Sequence, residues 1–475
     1  MPMRLFIAAC VTLCLLFSGQ TAAQRSALTV FEHVSVIPMD SERVMPDSQV
    51  WVSGSGIVTI ASSTGRDAVL NPPTTTVRID GRGKFLIPAL AEMHAHIPND
   101  PAEAERVLFM YVANGIGTIR SMLGDPSHFR LRERVQKGEI VGPTMILSGP
   151  SFSGATAPTP AAATRRVADE KKAGYDFLKI HPGVPRSAFD ALAAAADKAA
   201  IRFAGHVPLD VGLQRALQAK YWTIDHPDGY VEALAGPRGR DSENFGVNLI
   251  SRIDESRIAA LADDTKAAGV WNVPTQILLE NWYGPDSPEM MQQRSEMQYI
   301  SRAELRQWIA TKRANMTDYS AQDRARFVAV RRRLIRALQD AGAGLLLGSD
   351  APQVWNVPGF SIHRELATYV AAGLTPYQAL ATGTRNVAAH LGKLVSDCKS
   401  LSPDPLPVGA IDRLSECSES VGTVRTPGRA DLVLLDANPL ENIANTMRIA
   451  GVMIRGRWIP KAEIDRRLAQ MVQSR

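Results

Sequence analysis

Two histidines separated by one residue are the first feature of the sequence that could bind a metal ion. His94 and His96 follow the apolar run that ends at Met93. If this run is a β-strand, residues i and i+2 point to the same side, and both imidazoles can approach one ion. Nine histidines in 475 residues produce roughly 0.2 such pairs by chance. The pair alone therefore does not distinguish a metal site from two core or loop histidines.

Four further apolar runs each end in a polar side chain that could join such a site. These residues are Lys179, His206, His226 and Asp350. Each has an ordinary structural explanation: a surface lysine, a hydrogen-bonded core histidine or, for Asp350, a helix N-cap. Those explanations fit the whole set poorly, because enzymes built on a barrel carry their chemistry at the carboxyl ends of the strands.

The elements that would position these side chains alternate along the middle of the chain. Eight apolar runs end near His94, Met122, Ser148, Lys179, His206, His226, Gln276 and Ser349. Between them lie segments of helical periodicity, for example residues 102–114 and 187–199, and several such segments end at a glycine. This alternation predicts an α/β fold, a (β/α)8 TIM barrel. A doubly wound open sheet is the competing architecture, but no Gly-x-Gly-x-x-Gly follows the first strand.

The two ends of the chain instead show short β-rich runs broken by glycine, proline and serine. We expect residues 24–88 and 421–475 to form a small β-sandwich domain, with a terminal helix in the second part. The barrel domain is expected over residues 89–393, and residues 394–420 form an insert between the barrel and the second β-rich part.

The first residues predict export. A charged start, an apolar run from Leu5 to Phe17 and a small-residue cleavage site at Ala23 follow the order of a secretory signal peptide. The apolar run is shorter than the roughly 20 residues that span a bilayer, so an uncleaved anchor is the weaker alternative. We therefore expect residues 1–23 to be removed, leaving a periplasmic or secreted protein without a transmembrane segment.

Signal cleavage would leave two cysteines, Cys398 and Cys417, which flank a stretch rich in proline and serine. In an oxidising compartment they most simply form one disulfide that closes the insert. Two free buried thiols are the alternative.

Composition excludes several classes of protein. The chain has 45% hydrophobic, 21% charged and 6% aromatic residues and a net charge of +5. These values exclude a disordered chain, a collagen-like repeat and a small disulfide scaffold. The small excess of positive charge and the few aromatic side chains do not indicate nucleic-acid binding. Residues 324–336 contain six arginines, for which we expect a solvated helix face.

Taken in order, these motifs resemble the amidohydrolase superfamily of metal-dependent hydrolases, specifically its imidazolonepropionase-like and prolidase-like secreted branch. The resemblance spans nearly the whole mature chain. It lies in residues 87–96, 177–180, 205–208, 224–226, 348–351, 363–366 and 428–436.

The resemblance implies a centre of two divalent metal ions. Its ligands would be His94, His96 and Asp350 on one ion, His206 and His226 on the other, and a carbamylated Lys179 between them. An ammonium group between two cations would be repelled, whereas a carbamate reverses that charge. Zinc suits this ligand set best, with manganese, cobalt, nickel and iron as alternatives. A mononuclear enzyme with unmodified Lys179 is the nearest competing hypothesis.

The implied reaction is hydrolysis of an amide-type C–N bond in a small peptide-like or N-acyl amino acid substrate. A metal-bridging hydroxide would attack the carbonyl, with Asp350 as general base and then general acid. His181, Tyr230 and His363 are candidate substrate contacts, and His363 could instead support the ligands. Hydrolysis of a cyclic amide, lactone or amidine, deamination of a ring, and a non-catalytic binding barrel remain alternatives. The oligomeric state, a homo-oligomer included, stays open.

Two residues and one loop depart from the family pattern. Ala89 stands where glycine is usual, and Ser121 stands where an aspartate often follows the arginine of the second strand, Arg120. Residues 151–160 replace a glycine- and histidine-rich loop of many prolidase-like members. None of these changes removes a ligand, but the last argues against specificity for proline dipeptides.

Overall fold

The computed structural model of the protein describes residues 28–64, 74–392 and 421–473. The predicted signal peptide and both cysteines of the predicted disulfide, Cys398 and Cys417, lie outside the described residues. The described part is a mixed α/β structure with three β-sheets. None of its helices combines the length and the apolar character needed to cross a membrane.

The elements are numbered here along the chain. The strands are β1 (Thr29–Val36), β2 (Met45–Ser53), β3 (Gly56–Ser62), β4 (Val77–Asp80), β5 (Phe85–Pro88), β6 (Leu90–Ala95), β7 (Ile116–Ser121), β8 (Thr144–Leu147), β9 (Phe177–Ile180), β10 (Arg202–Gly205), β11 (Thr223–Asp225), β12 (Trp271–Val273), β13 (Gly428–Arg429), β14 (Leu432–Leu435), β15 (Ile449–Ile454) and β16 (Arg457–Pro460). The α-helices are α1 (Pro101–Ala113), α2 (Ser127–Gln136), α3 (Pro160–Ala173), α4 (Arg186–Lys198), α5 (Gly212–Gln218), α6 (Tyr230–Ala235), α7 (Ile258–Ala268), α8 (Gln276–Tyr283), α9 (Pro288–Met291), α10 (Arg302–Asp318), α11 (Ala321–Ala341), α12 (Phe360–Ala371), α13 (Pro376–Thr382), α14 (Arg385–Leu391) and α15 (Lys461–Gln473). Short 3-10 helices occupy Gly236–Asp241, Asn244–Arg252, Glu255–Arg257, Ser295–Tyr299 and Ile443–Met447.

Both ends of the described chain contribute to one nine-stranded sheet. Its order is β13-β3-β2-β1-β5-β14-β15-β16, with β4 paired to β1. The two ends meet where β5 runs antiparallel to β14, with Leu86 opposite Leu434. Phe31, Val50 and Leu434 belong to a buried apolar cluster of this sheet. The sheet joins the two ends as the sequence predicts, while the two-layered sandwich and the domain boundaries stay predictions.

The middle of the chain alternates strands and helices, and seven of its eight expected strands are present. Strands β6, β7 and β8 form one parallel sheet, and β9 to β12 form another. The eighth apolar run, residues 344–350, is not a strand. Its backbone nevertheless bonds to both neighbours, because Leu346 N donates to Asn272 O and Asp350 N donates to His94 O. The described residues thus form no single closed sheet, unlike the predicted barrel.

The eighth run packs closely against its neighbours and ends in a left-handed residue. A Cβ atom on Gly348 would lie 2.4 Å from Val273 Cγ1 and 2.9 Å from His94 N. Asp350, at the end of the run, has a left-handed φ of 63°. A regular ladder requires extended residues throughout, so this backbone interrupts it.

The arginine-rich segment corrects one prediction. It belongs to α11, which packs against α7 and α8. Arg324 and Arg331 are only 7% and 1% exposed, so a wholly solvated face is wrong for these two residues. Both guanidinium groups donate to backbone carbonyl oxygens, such as Tyr283 O for Arg324 and His226 O for Arg331. These bonds satisfy charges that could not otherwise be buried.

Candidate active site

Four imidazoles and one carboxylate meet at the carboxyl ends of the parallel strands. The ring centres of His94 and His206 each lie 4.6 Å from that of His226, and His96 lies 5.5 Å from His94. Asp350 Oδ1 is 2.7 Å from His96 Nε2 and 3.4 Å from His94 Nε2. The potential ligand atoms of His94, His226 and Asp350 lie within 4.8 Å of one another, a spacing that suits a metal ion.

The backbone turns sharply where these side chains leave their strands. His226, Asp350 and Thr275 all have positive φ angles, of 62°, 63° and 44°. Such conformations are costly for residues other than glycine, and they concentrate at functional sites. The strained backbone therefore agrees with a functional role for this end of the sheets.

Lys179 is buried beside Gly205 and is 1% exposed. A Cβ atom on Gly205 would lie 2.9 Å from Lys179 Cδ and 2.4 Å from Ile180 O, so only glycine leaves room for this lysine. Burial lowers the pKa of Lys179, and the charges of Asp225 and Asp350 act in the opposite direction. The lysine therefore lies in the electrostatic field of the candidate metal site.

Burial also keeps His94, His206 and His226 neutral at pH 7. It lowers the pKa of His206 to about 3 and holds the pKa of His94 and His226 well below the ordinary value. The positive charge of Lys179 adds to each shift. A neutral imidazole has the lone pair that a metal ion requires, so these residues fit a divalent cation.

The second nitrogen of three imidazoles faces an oxygen atom. Nδ1 of His206 lies 2.7 Å from Asp228 Oδ2, and Nδ1 of His226 lies 2.7 Å from Thr275 Oγ1. Nδ1 of His94 lies 2.8 Å from Asp225 Oδ2. Metal-binding histidines commonly have such a partner, which orients the ring. The sequence patterns did not predict Asp225, Asp228 and Thr275 as partners of the histidines, although each lies within two residues of a predicted strand end.

A second network holds the backbone behind the histidines. The buried Arg331 donates to His226 O at 2.8 Å, to Pro274 O at 3.1 Å and to Gln276 Oε1 at 3.0 Å. Glu365 accepts a hydrogen bond from Gln276 N at 2.8 Å, which secures the start of α8. Burial raises the pKa of Glu365 to about 8. Glu365 thus secures the backbone that follows Thr275, the partner of His226.

The three candidate substrate contacts have different positions. The ring centre of His181 is 4.8 Å from that of His206, so His181 lies at the site. Tyr230 is fully buried, with its hydroxyl 2.7 Å from Thr265 Oγ1. His363 is buried as well, with Nδ1 3.0 Å from Thr446 Oγ1. Tyr230 and His363 therefore make contacts within the core, and a substrate contact of either residue stays a prediction.

A pocket of about 380 Å³ opens beside His206 and Asp228. Its apolar lining includes Val184, Leu209 and Phe245. The ring centre of Phe245 lies 5.7 Å from that of His226, so the pocket reaches the imidazole cluster. Most small-molecule sites have this combination of apolar walls and a few polar groups.

Solved structures with the same fold include several hydrolases. Bottromycin amidohydrolase superposes with a TM-score of 0.66 at 21% sequence identity, over 95% of this chain and 91% of that chain. A putative prolidase from Bifidobacterium longum superposes with a TM-score of 0.62 at 20% identity, over 94% and 99% of the two chains. For A. niger ochratoxinase the TM-score is 0.59 at 16% identity, over 92% and 96%.

Sequence comparisons add no relative: no family model matches the chain, and a search of curated proteins finds no match. At identities near 20% the structural likeness establishes the fold and leaves the activity to be argued from the site. The motifs of the sequence predicted a fold of this kind, and the superpositions show that the chain shares the fold of these solved hydrolases, bottromycin amidohydrolase among them.

Proposed function

We propose that the protein is a metal-dependent hydrolase that cleaves an amide-type C–N bond in a peptide-like or N-acyl amino acid substrate. The observation that carries this proposal is the convergence of four imidazoles and Asp350 from four separate segments of the chain. The fold shared with solved amidohydrolases supports the same reaction class.

The donor set suits two divalent ions, and zinc matches its nitrogen-rich character. We assign His94, His96 and Asp350 to one ion, His206 and His226 to the other, and a carbamylated Lys179 to the position between them. The lowered pKa of Lys179 supports this modification, because the neutral amine is the form that reacts with carbon dioxide. Ions held in this way supply an activated water and polarise the substrate carbonyl.

The side chains around the site provide the remaining chemistry. Asp350 is positioned to accept a proton from the attacking water and to return it to the leaving nitrogen. Burial lowers the pKa of His181 to about 4, so its neutral ring can donate a hydrogen bond to the substrate at pH 7. The pocket lined by Leu209 and Phe245 would hold an apolar part of the substrate next to His206.

We further propose that the two parallel sheets and residues 344–350 enclose a (β/α)8 barrel. Isolated bridges pair Ser148 with Phe177, Asn272 with Leu345 and Ala95 with Ala351. These bridges connect the sheet edges in the order that a closed barrel requires.

We also propose, from the sequence, that the protein is exported and that Cys398 and Cys417 form a disulfide. N-terminal sequencing of the protein from its native host would give Gln24 as the first residue if the signal peptide is removed after Ala23. Thiol titration of the denatured mature protein would find no free cysteine if Cys398 and Cys417 are paired.

Metal analysis together with a substrate screen tests the proposed function. We expect about two zinc ions per chain, loss of turnover with a chelator and recovery with added zinc. The screen compares dipeptides, N-acyl amino acids and lactones, and Asp350→Asn should reduce turnover by about 10²–10⁴-fold. Turnover that persists in the metal-free protein would contradict the proposal, and a folded protein with neither metal nor turnover would favour a binding barrel.

A further inference from the structure

Asp225 is a buried carboxylate that the proposed reaction does not use. It ends β11 and, like Arg120, is 0% exposed. Asp225 Oδ1 accepts a hydrogen bond from Thr223 Oγ1 at 2.6 Å, and Arg120 Nη2 lies 3.2 and 3.3 Å from its two oxygens. His94 is a third neighbour of this carboxylate, with Nδ1 2.8 Å from Oδ2.

His94 Nδ1 has no other acceptor within the described part of the chain. The nitrogen is buried, and the contact with Asp225 lacks the alignment of a full hydrogen bond. On the other side of the same ring, Nε2 is 3.4 Å from Asp350 Oδ1. A proton on Nδ1 that points to Asp225 leaves the lone pair of Nε2 free on the side of Asp350.

Several contacts fix the side chain of Arg120. Its Nε donates to Met93 O at 2.7 Å, and its guanidinium carbon lies 5.5 and 5.7 Å from the ring centres of Phe177 and Trp222. Because Met93 directly precedes His94, Arg120 contacts both the backbone before this histidine and the carboxylate beside its ring. Arg120 and Asp225 together can therefore control the orientation of His94.

We propose that Asp225, held in place by Arg120, is the positioning residue that sets the tautomer and ring orientation of His94 for metal binding. This inference rests on the proposed function. It differs from a purely structural role of the buried ion pair, in which the two charges would stabilise the fold without affecting the metal.

Three variants separate these roles: Asp225→Asn, Arg120→Met and the double variant. We expect Asp225→Asn to weaken zinc affinity by about 10–100-fold, measured by competition with a chromophoric chelator. The double variant removes both buried charges, so its thermal stability should return toward that of the wild type. Its zinc affinity should stay about 10–100-fold lower. Wild-type affinity in the double variant would overturn the proposal.

A spectroscopic readout makes the test independent of metal and activity. In metal-free protein labelled with ¹⁵N-histidine, His94 should carry its proton on Nδ1, and Asp225→Asn should convert this signal to a mixture of tautomers. Glu170→Gln, which alters a distant ion pair with Arg166, serves as the matched control with unchanged tautomer and affinity. An unchanged tautomer in Asp225→Asn would also overturn the inference.

The outcomes distinguish this inference from the proposed function. Wild-type protein that binds no zinc contradicts the proposed function, while the tautomer spectrum still decides the role of Asp225. If Asp225→Asn alone does not fold, the double variant, which leaves no unpaired buried charge, provides the same comparison in both measurements.

Discussion

Replacing Lys179 should show whether the candidate site binds two metal ions or one. We expect Lys179→Met to lower bound zinc from about two ions to about one per chain, because no bridging oxygens remain. Native mass spectrometry should also show the wild type about 44 Da heavier than its unmodified chain, an increment absent from the variant. Equal metal content in the two proteins would refute the bridging role, and equal mass increments would place the carbamate elsewhere.

A different buried residue, Glu170, should make stability depend on pH. Burial raises the pKa of Glu170 to about 7 from an ordinary value of 4.5, despite the hydrogen bond from Arg166. The folded state then binds more protons than the unfolded state between these values. The free energy of unfolding should therefore fall as pH rises through this window, by at most about 1.4 kcal/mol per pH unit from this residue.

Urea unfolding of Glu170→Gln at several pH values measures this contribution. The difference in unfolding free energy between variant and wild type should shift in favour of the variant as pH rises. Glu42→Gln, at an exposed position, is the control that should show no such trend. A difference that stays constant with pH would disprove the assignment.

At the scale of elements, α11 supports the candidate site through one residue of its arginine-rich segment. We expect Arg331→Met to destabilise the protein by about 2–4 kcal/mol, because it leaves the buried carbonyl oxygens of His226 and Pro274 without donors. Arg333→Met on the same helix removes a partly exposed ion pair with Glu255 and should cost less than about 1 kcal/mol. Chemical unfolding compares the two variants, and equal losses would argue against this supporting role.

Some strand ends could be predicted from the local sequence pattern alone. Strands β6 and β11 end close to their predicted ends, because an apolar run stops abruptly at a polar residue in each case. The same pattern fails for residues 344–350, where the left-handed backbone at Asp350 does not continue a regular ladder. The charge pattern also failed for Arg331, since the charge of a side chain does not reveal which acceptors the fold brings to it.

At the scale of the whole molecule, single substitutions can test how much the sheet shared by the two chain ends contributes to stability. Leu434 of β14 is 2% exposed at the junction with β5, and Leu434→Ala should cost about 2–4 kcal/mol. Val77 of β4, which is 46% exposed, provides the control, because Val77→Ala should cost less than about 1 kcal/mol. Thermal unfolding of both variants measures the difference, and similar losses would show that the junction contributes little.

The sequence by itself determined the alternating α/β architecture, the ends of strands such as β6 and β11, and the candidate ligands, because hydrophobic periodicity and residue type are local properties. Only the tertiary structure decided that His181 contacts the imidazole cluster while Tyr230 and His363 lie in core contacts. It also placed Asp225 beside the ring of His94 and Arg331 against the backbone of His226. The reason is physical: the partner of a buried polar group is set by contacts between segments that are distant in the chain, 105 residues apart both for Arg120 with Asp225 and for Arg331 with His226.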